Sequence, residues 1–388
     1  MTGTGQRARI GRALLALCGH RSAECVSLSN EDWRDFDLLA GEHRLRPFLD
    51  GRLSRGEIGG VPDMIAAGWA DAHRANGIAI LAQRRALLQI VGLLAKEDIA
   101  AIALKGSALA WTVWPGPAER VMRDIDILVA EEMAPRAYEL LVKAGWSGPD
   151  FDVTGLASAA RVMAHMPPLY SPEGVMCELH GHIWGSAPLP GAPMPEGDDR
   201  QIMARAHHDD RLGAAVPAAE DMLVHLVVHA ACSHLLNVGP MALVDVDLWC
   251  AQNRIDWAGF WERAGRERFD RPAALIFALV DRWRRPGFLA ETACPHAIEA
   301  EMLDQTEALL VQDLDARKDV SVIASMASRR LGGRLGQHPL DRAEEDSGMF
   351  ARTAQLAGRS LSLARSLLSP QTRRNGMATA KLQKWMEG

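Results

Sequence analysis

The chain is short of the features that mark secreted, membrane-spanning or nucleic-acid-coating proteins. Its six cysteines, at 18, 25, 177, 232, 250 and 294, include no Cys-x-x-Cys pair. That excludes a disulfide framework and a zinc ribbon, and it suits a reducing compartment. No apolar run reaches the roughly 20 residues that cross a bilayer. The early run at 13–18 is too short for an export signal and gives way at once to polar residues. A cytoplasmic location without stable membrane insertion is expected. Positive charge is not in excess either: the formal net charge is −6, which argues against general nucleic-acid binding. No Gly-x-x-x-x-Gly-Lys-[Ser/Thr] loop and no protein-kinase motif set occurs. Internal repeats are also absent.

What remains is an ordinary globular composition, 48% hydrophobic and 24% charged, in 388 residues, enough for two or three domains. Residues 6–98 read as helical. Asn30 stands where a helix cap is expected, and a long periodic run starts at Pro62-Asp63. The pattern then switches to a short apolar strand at 99–104, a helix at 107–114 stopped by Pro115-Gly-Pro117, a strand at 124–129 and a helix at 131–144. A further strand is expected at 175–180, followed by a Pro/Gly-rich linker at about 185–200, after which helices resume. The expected organisation is an N-terminal helical region (1–95), an α/β core (96–190), a C-terminal helical domain (200–335) and a basic amphipathic helical tail (336–388).

The chemistry concentrates in Lys105-Gly106-Ser107 and Arg123-Asp124-Ile125-Asp126. Strand periodicity puts Asp124 and Asp126 on one face and turns Ile125 and Ile127 to the other. Adjacent carboxylates repel unless a cation lies between them, so the pair suits a hard divalent metal, Mg²⁺ or Mn²⁺. A Gly-Ser turn opening a helix offers N–H groups and a hydroxyl to a phosphate. Glu178, on the next expected strand, is the candidate third metal ligand or general base, and His180 on the same face is a second candidate base. Lys105, Arg120 and Arg123 are placed to neutralise phosphoryl charge. Spacing alone is weak support, since Asp35/Asp37, Asp245/Asp247 and Asp313/Asp315 repeat it. The strand context and the Gly-Ser turn single out 124/126.

These motifs resemble the nucleotidyltransferase superfamily of the DNA polymerase β type: a hydrophobic strand, Gly-Ser, a helix, Asp-x-Asp on a strand and a later acidic strand. More narrowly, Leu104-Lys-Gly-Ser, Asp124-Ile-Asp-Ile-Leu-Val and Val175-Met-Cys-Glu-Leu-His are similar to an uncharacterised bacterial nucleotidyltransferase family, over roughly residues 35–285. Lys105 and the long gap from Ser107 to Asp124 depart from the superfamily pattern and fit the narrower family. The resemblance implies an α+β fold, a small mixed β-sheet core like the polymerase β palm, flanked by N- and C-terminal helical regions. It also implies an enzyme that takes an NTP with Mg²⁺ (or Mn²⁺) and transfers a nucleoside monophosphate to an acceptor on a small molecule, peptide or protein. Asp124, Asp126 and Glu178 would be catalytic and metal-binding, and Lys105, Gly106, Ser107, Arg120 and Arg123 nucleotide-binding. A modified peptide natural product is one acceptor it allows. The alternatives are a non-catalytic nucleotide-binding scaffold and an antitoxin-like AMP-transferase.

Other patterns are read as structural. His225, His229 and His234 have helical spacing without the glutamate of a zinc-protease motif. Trp111 and Trp114 follow the Gly-Ser helix and are expected in the core rather than against a base. The basic tail is expected to dock as a helix with its charged face in water.

Overall fold

The computed structural model describes residues 3–20, 28–149, 156, 165–183, 198–236, 238–312 and 370–387. The N-terminal part is helical. α1 (Gly3–Leu17) packs on α2 (Asn30–Glu42), which begins one residue earlier than expected because Ser29, not Asn30, is the cap. Ser29 Oγ accepts from Asp32 N while the Asp32 carboxylate accepts from Ser29 N, a reciprocal capping box. α3 (Arg46–Ser54) and α4 (Asp63–Ala95) follow. By length and composition α4 is the one described helix that could cross a membrane. One face packs on the body, with Trp69, Ile80, Leu87, Ile90 and Leu94 buried and Asn76 and Gln83 donating to the Ala118 and Met122 carbonyls, while Met64, Ile78 and Leu81 are exposed.

The centre is a six-stranded mixed sheet in the order β3-β4-β2-β1-β6-β5, built from β1 (Ile102–Ala103), β2 (Asp124–Leu128), β3 (Leu169–Tyr170), β4 (Met176–His180), β5 (His207–Asp209) and β6 (Ala214–Val216). β2 runs antiparallel to β1 and parallel to β4. α5 (Lys105–Thr112) follows β1 directly, and α6 (Ala134–Lys143) packs against β4. The α+β fold with a mixed central sheet and flanking helices is as expected. The differences are β3, two residues where no strand was expected, and β5 and β6, which lie where the sequence reads as helical. Three residues each are too few to show alternation, and β6 enters the sheet by pairing with β1.

Helices then close the far side. α7 (Asp198–Arg205) precedes β5. α8 (Ala219–Val228) runs into a π-turn (His229–Ser233), then come α9 (Met241–Gln252), α10 (Trp257–Glu267), α11 (Asp270–Trp283), α12 (Phe288–Glu291) and α13 (Ala300–Leu310). The C-terminal helix α14 (Pro370–Glu387) docks on α11 and α13, burying Leu382 and Met386 and taking a bond from Arg271 to the Trp385 carbonyl. The leucine-rich stretch expected to lead into it, and Asp313/Asp315, lie outside the described residues.

One buried ion pair ties sheet and helices together. Arg120, between α5 and β2, gives Nε and Nη2 to the two oxygens of Asp245 on α9 at 2.8 and 2.7 Å, and Trp114 Nε1 adds a third bond at 2.9 Å. Gly106 lies flat beneath this fork, and a Cβ there would collide with Arg120 Nη1. Asp245/Asp247 is therefore helical and structural. Asp247 holds Arg284 and Arg285, and Trp114 is a core residue.

Asp245→Ala leaves Arg120 charged and uncompensated in the interior, so stability should fall by about 3–5 kcal/mol in a denaturant titration. Arg120→Met combined with Asp245→Leu should recover most of that loss.

Candidate active site

The register of β2 on β4 sets the site. Asp124 lies opposite Met176, Asp126 opposite Glu178, and Leu128 opposite His180. Residues in register on parallel strands share a face, so both aspartates, Glu178 and His180 come to one side. Ile125, Ile127, Cys177 and Leu179 fill the other side and are fully buried. A one-residue slip would exchange the two sets, and the apolar burial forbids it.

Within that face, oxygens of Asp126 and Glu178 and a ring nitrogen of His180 lie within 4.8 Å of one another. Among the described residues they form the one group of three or more potential metal ligands this close together. Two carboxylates and one imidazole fit Mg²⁺ and suit Mn²⁺ at least as well. Asp124 stands one strand step away and outside this tight group. Its carboxyl is raised above the usual range first by burial and then by the charge of Asp126, against the pull of Lys105 and Arg123.

Asp126 is the electrostatic centre. Burial opposes its ionisation, but Lys105 Nζ at 2.9 Å and His180 Nε2 at 2.8 Å, both on Oδ1, hold it well below the ordinary aspartate range. Its own N–H donates to Ser107 Oγ at 2.9 Å, and its carbonyl accepts from Leu104 N. The Gly-Ser turn is thus locked to the carboxylate strand. Lys105 sits at the first position of α5 with φ +43°, left-handed backbone that a side chain adopts only under strain. That conformation turns the chain from β1 into α5 and leaves the ammonium beside Asp126.

Burial, with Lys105 adding to it, lowers the His180 pKa to about 4, so the ring is neutral at physiological pH. Because Asp126 is ionised, Nε2 carries the hydrogen of their bond. Nδ1 is then left buried without a hydrogen-bond partner. Glu178 is less enclosed, and its carboxyl is raised mainly by burial, against the pull of His165.

The sequence-selected residues therefore divide. Lys105, Ser107, Asp124, Asp126, Glu178 and His180 meet at one place. Gly106 faces Arg120, whose fork is taken up by Asp245. Arg123 is exposed at the strand entrance and makes no ion pair among the described residues. Sequence reasoning missed His165, which forms an isolated bridge to His180 and lies 3.7 Å from Glu178 Oε2. It sits in an irregular stretch before two prolines, where no periodic pattern could flag it. His225, His229 and His234 make a ladder of rings, 6.0 Å and then 4.4 Å between centroids, running from the interior to the surface. Burial, and then Lys105, pushes His225 and His229 well below the usual histidine range. Trp111 packs under the Arg84 guanidinium, 4.3 Å from its ring centroid.

A buried acidic pair in strand register, clamped to a Gly-Ser helix start and neutralised by a lysine, is an arrangement for metal-assisted chemistry on phosphates. Comparison with known sequences bears on the same point. No curated protein matches the chain. The profile of an uncharacterised nucleotidyltransferase family matches residues 29–285, a span that covers α2 to α11, the whole sheet and every residue of the site. The chain belongs to this uncharacterised nucleotidyltransferase family.

Proposed function

We propose that the protein transfers a nucleoside monophosphate from an NTP to an acceptor hydroxyl, or a similar nucleophile, on a small molecule, peptide or protein. The observation that carries this reading is the in-register placement of Asp126 against Glu178, with Lys105 and the Ser107 hook closing on the same carboxylate. Asp124 and Asp126 would hold Mg²⁺ or Mn²⁺, with His180 in reach as a nitrogen ligand and Glu178 beside them left to act as the base. Such an ion, when bound, screens the triphosphate and sharpens the electrophilicity of the α-phosphorus.

The chain's own residues supply the rest. The N-terminus of α5, at Gly106 and Ser107, is the element that would receive the β- and γ-phosphates. Lys105 is a mobile positive charge that can pass from Asp126 to a phosphate oxygen. The acceptor oxygen bonds to the α-phosphorus, the bond to the β-phosphate's bridging oxygen breaks, and pyrophosphate departs. The acceptor's proton goes to Glu178 rather than His180. Glu178 is partly open to the cleft and its raised pKa makes it the better base, whereas the free nitrogen of His180 is sealed inside. The intact acidic pair favours catalysis over a scaffold role. The free cysteines among the described residues, at 18, 177, 232, 250 and 294, support a reducing, cytoplasmic setting.

ATP, GTP, CTP and UTP binding should require Mg²⁺ or Mn²⁺ and vanish in Asp124→Ala/Asp126→Ala, as read by calorimetry; binding indifferent to both the ion and the double substitution sinks the proposal. Glu178→Gln should lower turnover about 10²–10⁴-fold, the range for loss of a general base, while nucleotide affinity changes only a few-fold. Offering each α-labelled NTP to a cell extract with the enzyme should place label on the acceptor.

A further inference from the structure

We infer that the outer face of α4 is the docking surface for a second copy of this chain, laid antiparallel across a two-fold axis at Ile78. Of the large apolar side chains that the described residues leave exposed, Met64, Ile78, Leu81 and Leu88 all lie on this one helix. The others, Leu38, Val142, Tyr170 and Met377, are scattered over four different elements. Single exposed apolar residues are ordinary on a protein surface, but a row of them along one helix marks an interface. The inner face of α4 is anchored by its buried side chains and by Asn76 and Gln83 on the Ala118 and Met122 carbonyls, so the outer face is presented rigidly.

The order of residues along that face says what covers it. Met64, Asp71, Ile78 and Arg85 follow at seven-residue steps, with Gly68, Ala75 and Ala82 exposed between them. Such spacing is the seam of two helices packed side by side. A two-fold at Ile78 sets each residue before it against the one equally far beyond it in the other copy. Asp71 of either copy then comes level with Arg85 of the other, and the pair forms twice. Leu81 faces Ala75, Leu88 faces Gly68 and Met64 faces Gly92, so each large side chain meets a small one. A parallel pair would instead stack Asp71 on Asp71 and Arg85 on Arg85.

The glycines point to the same occupant independently. Gly68 and Gly92 stand inside a helix, where glycine is unfavourable, and a Cβ at either would meet nothing within 4 Å. Among the described residues nothing calls for glycine there, whereas Leu88 and Met64 of a second copy would. An open groove of 460 Å³ runs along Leu81, Arg84, Arg85, Leu88 and Gln89. Its wall is held by Arg84, which lies over Trp111 and donates to the Arg211 and Leu212 carbonyls. The charges are available as well: among the described residues Arg85 makes no ion pair, and Asp71 pairs only with Arg74 on its own helix. A lipid surface fits this face less well. Its seam contains Asp71 and is half glycine and alanine, where a helix lying on a membrane carries bulky apolar residues flanked by bases.

Sedimentation equilibrium of the full chain at micromolar concentration, with circular dichroism to check folding, tests this. Wild type should be a dimer and Ile78→Glu a folded monomer, since Ile78 is 75% exposed. Asp71→Arg and Arg85→Asp should each weaken association about tenfold, and the two together should recover most of that loss because the exchanged charges pair again. All three positions are exposed, so the charge exchange reads the interface even if Ile78→Glu does not fold. A monomeric wild type, a folded Ile78→Glu that stays dimeric, or a double variant no tighter than the single ones overturns the inference. A monomer that floats with phosphatidylglycerol vesicles, and no longer does so as Ile78→Glu, overturns it in favour of a membrane-facing helix.

Discussion

Asp126 must stay ionised with almost no water around it, and the architecture of the site follows from that constraint. A carboxylate at 4% exposure would take up a proton unless cationic and hydrogen-bonding groups were fixed against it. Lys105 and His180 meet that demand from two different elements, and the bond from its own N–H to Ser107 fixes the strand relative to α5. The strained backbone at Lys105 and the depth of Ser107 serve this one charge, whereas His180 is neutral because of burial and Lys105, against the pull of Asp126.

The same logic runs outward. Arg120 is matched by Asp245, and that pair needs Gly106 to have no side chain and Trp114 to complete the ring of donors. The helices on both sides of the sheet are therefore parts of the site's electrostatics. α9 supplies the counter-charge beneath the Gly-Ser turn, and α8 and its π-turn bring the histidine ladder near Lys105.

How much of this the amino acids revealed depended on whether a signal was local. Asp124, Asp126 and Glu178 were legible because strand alternation assigns a face, and the bounding Gly, Pro and Arg residues mark where each strand begins. Gly106-Ser107 was legible as a strand-to-helix turn. What the turn does with its hydroxyl was not, since the partner is a backbone amide on another strand. β5 and β6 escaped because three-residue strands carry no period. Arg120 looked like a phosphate ligand because its counterion lies on a helix far along the chain, and nothing near it in sequence says so.

The left-handed backbone at Lys105 also bears on how such a protein would change under selection. A glycine there would relax a conformation that costs an ordinary residue on the order of 1 kcal/mol, while removing the ammonium that keeps Asp126 charged. Fold and chemistry thus pull this position toward different residues. A laboratory population screened only for thermal tolerance would tend to lose the lysine and its chemistry together. One screened to keep Asp126 ionised would keep the lysine and its strain.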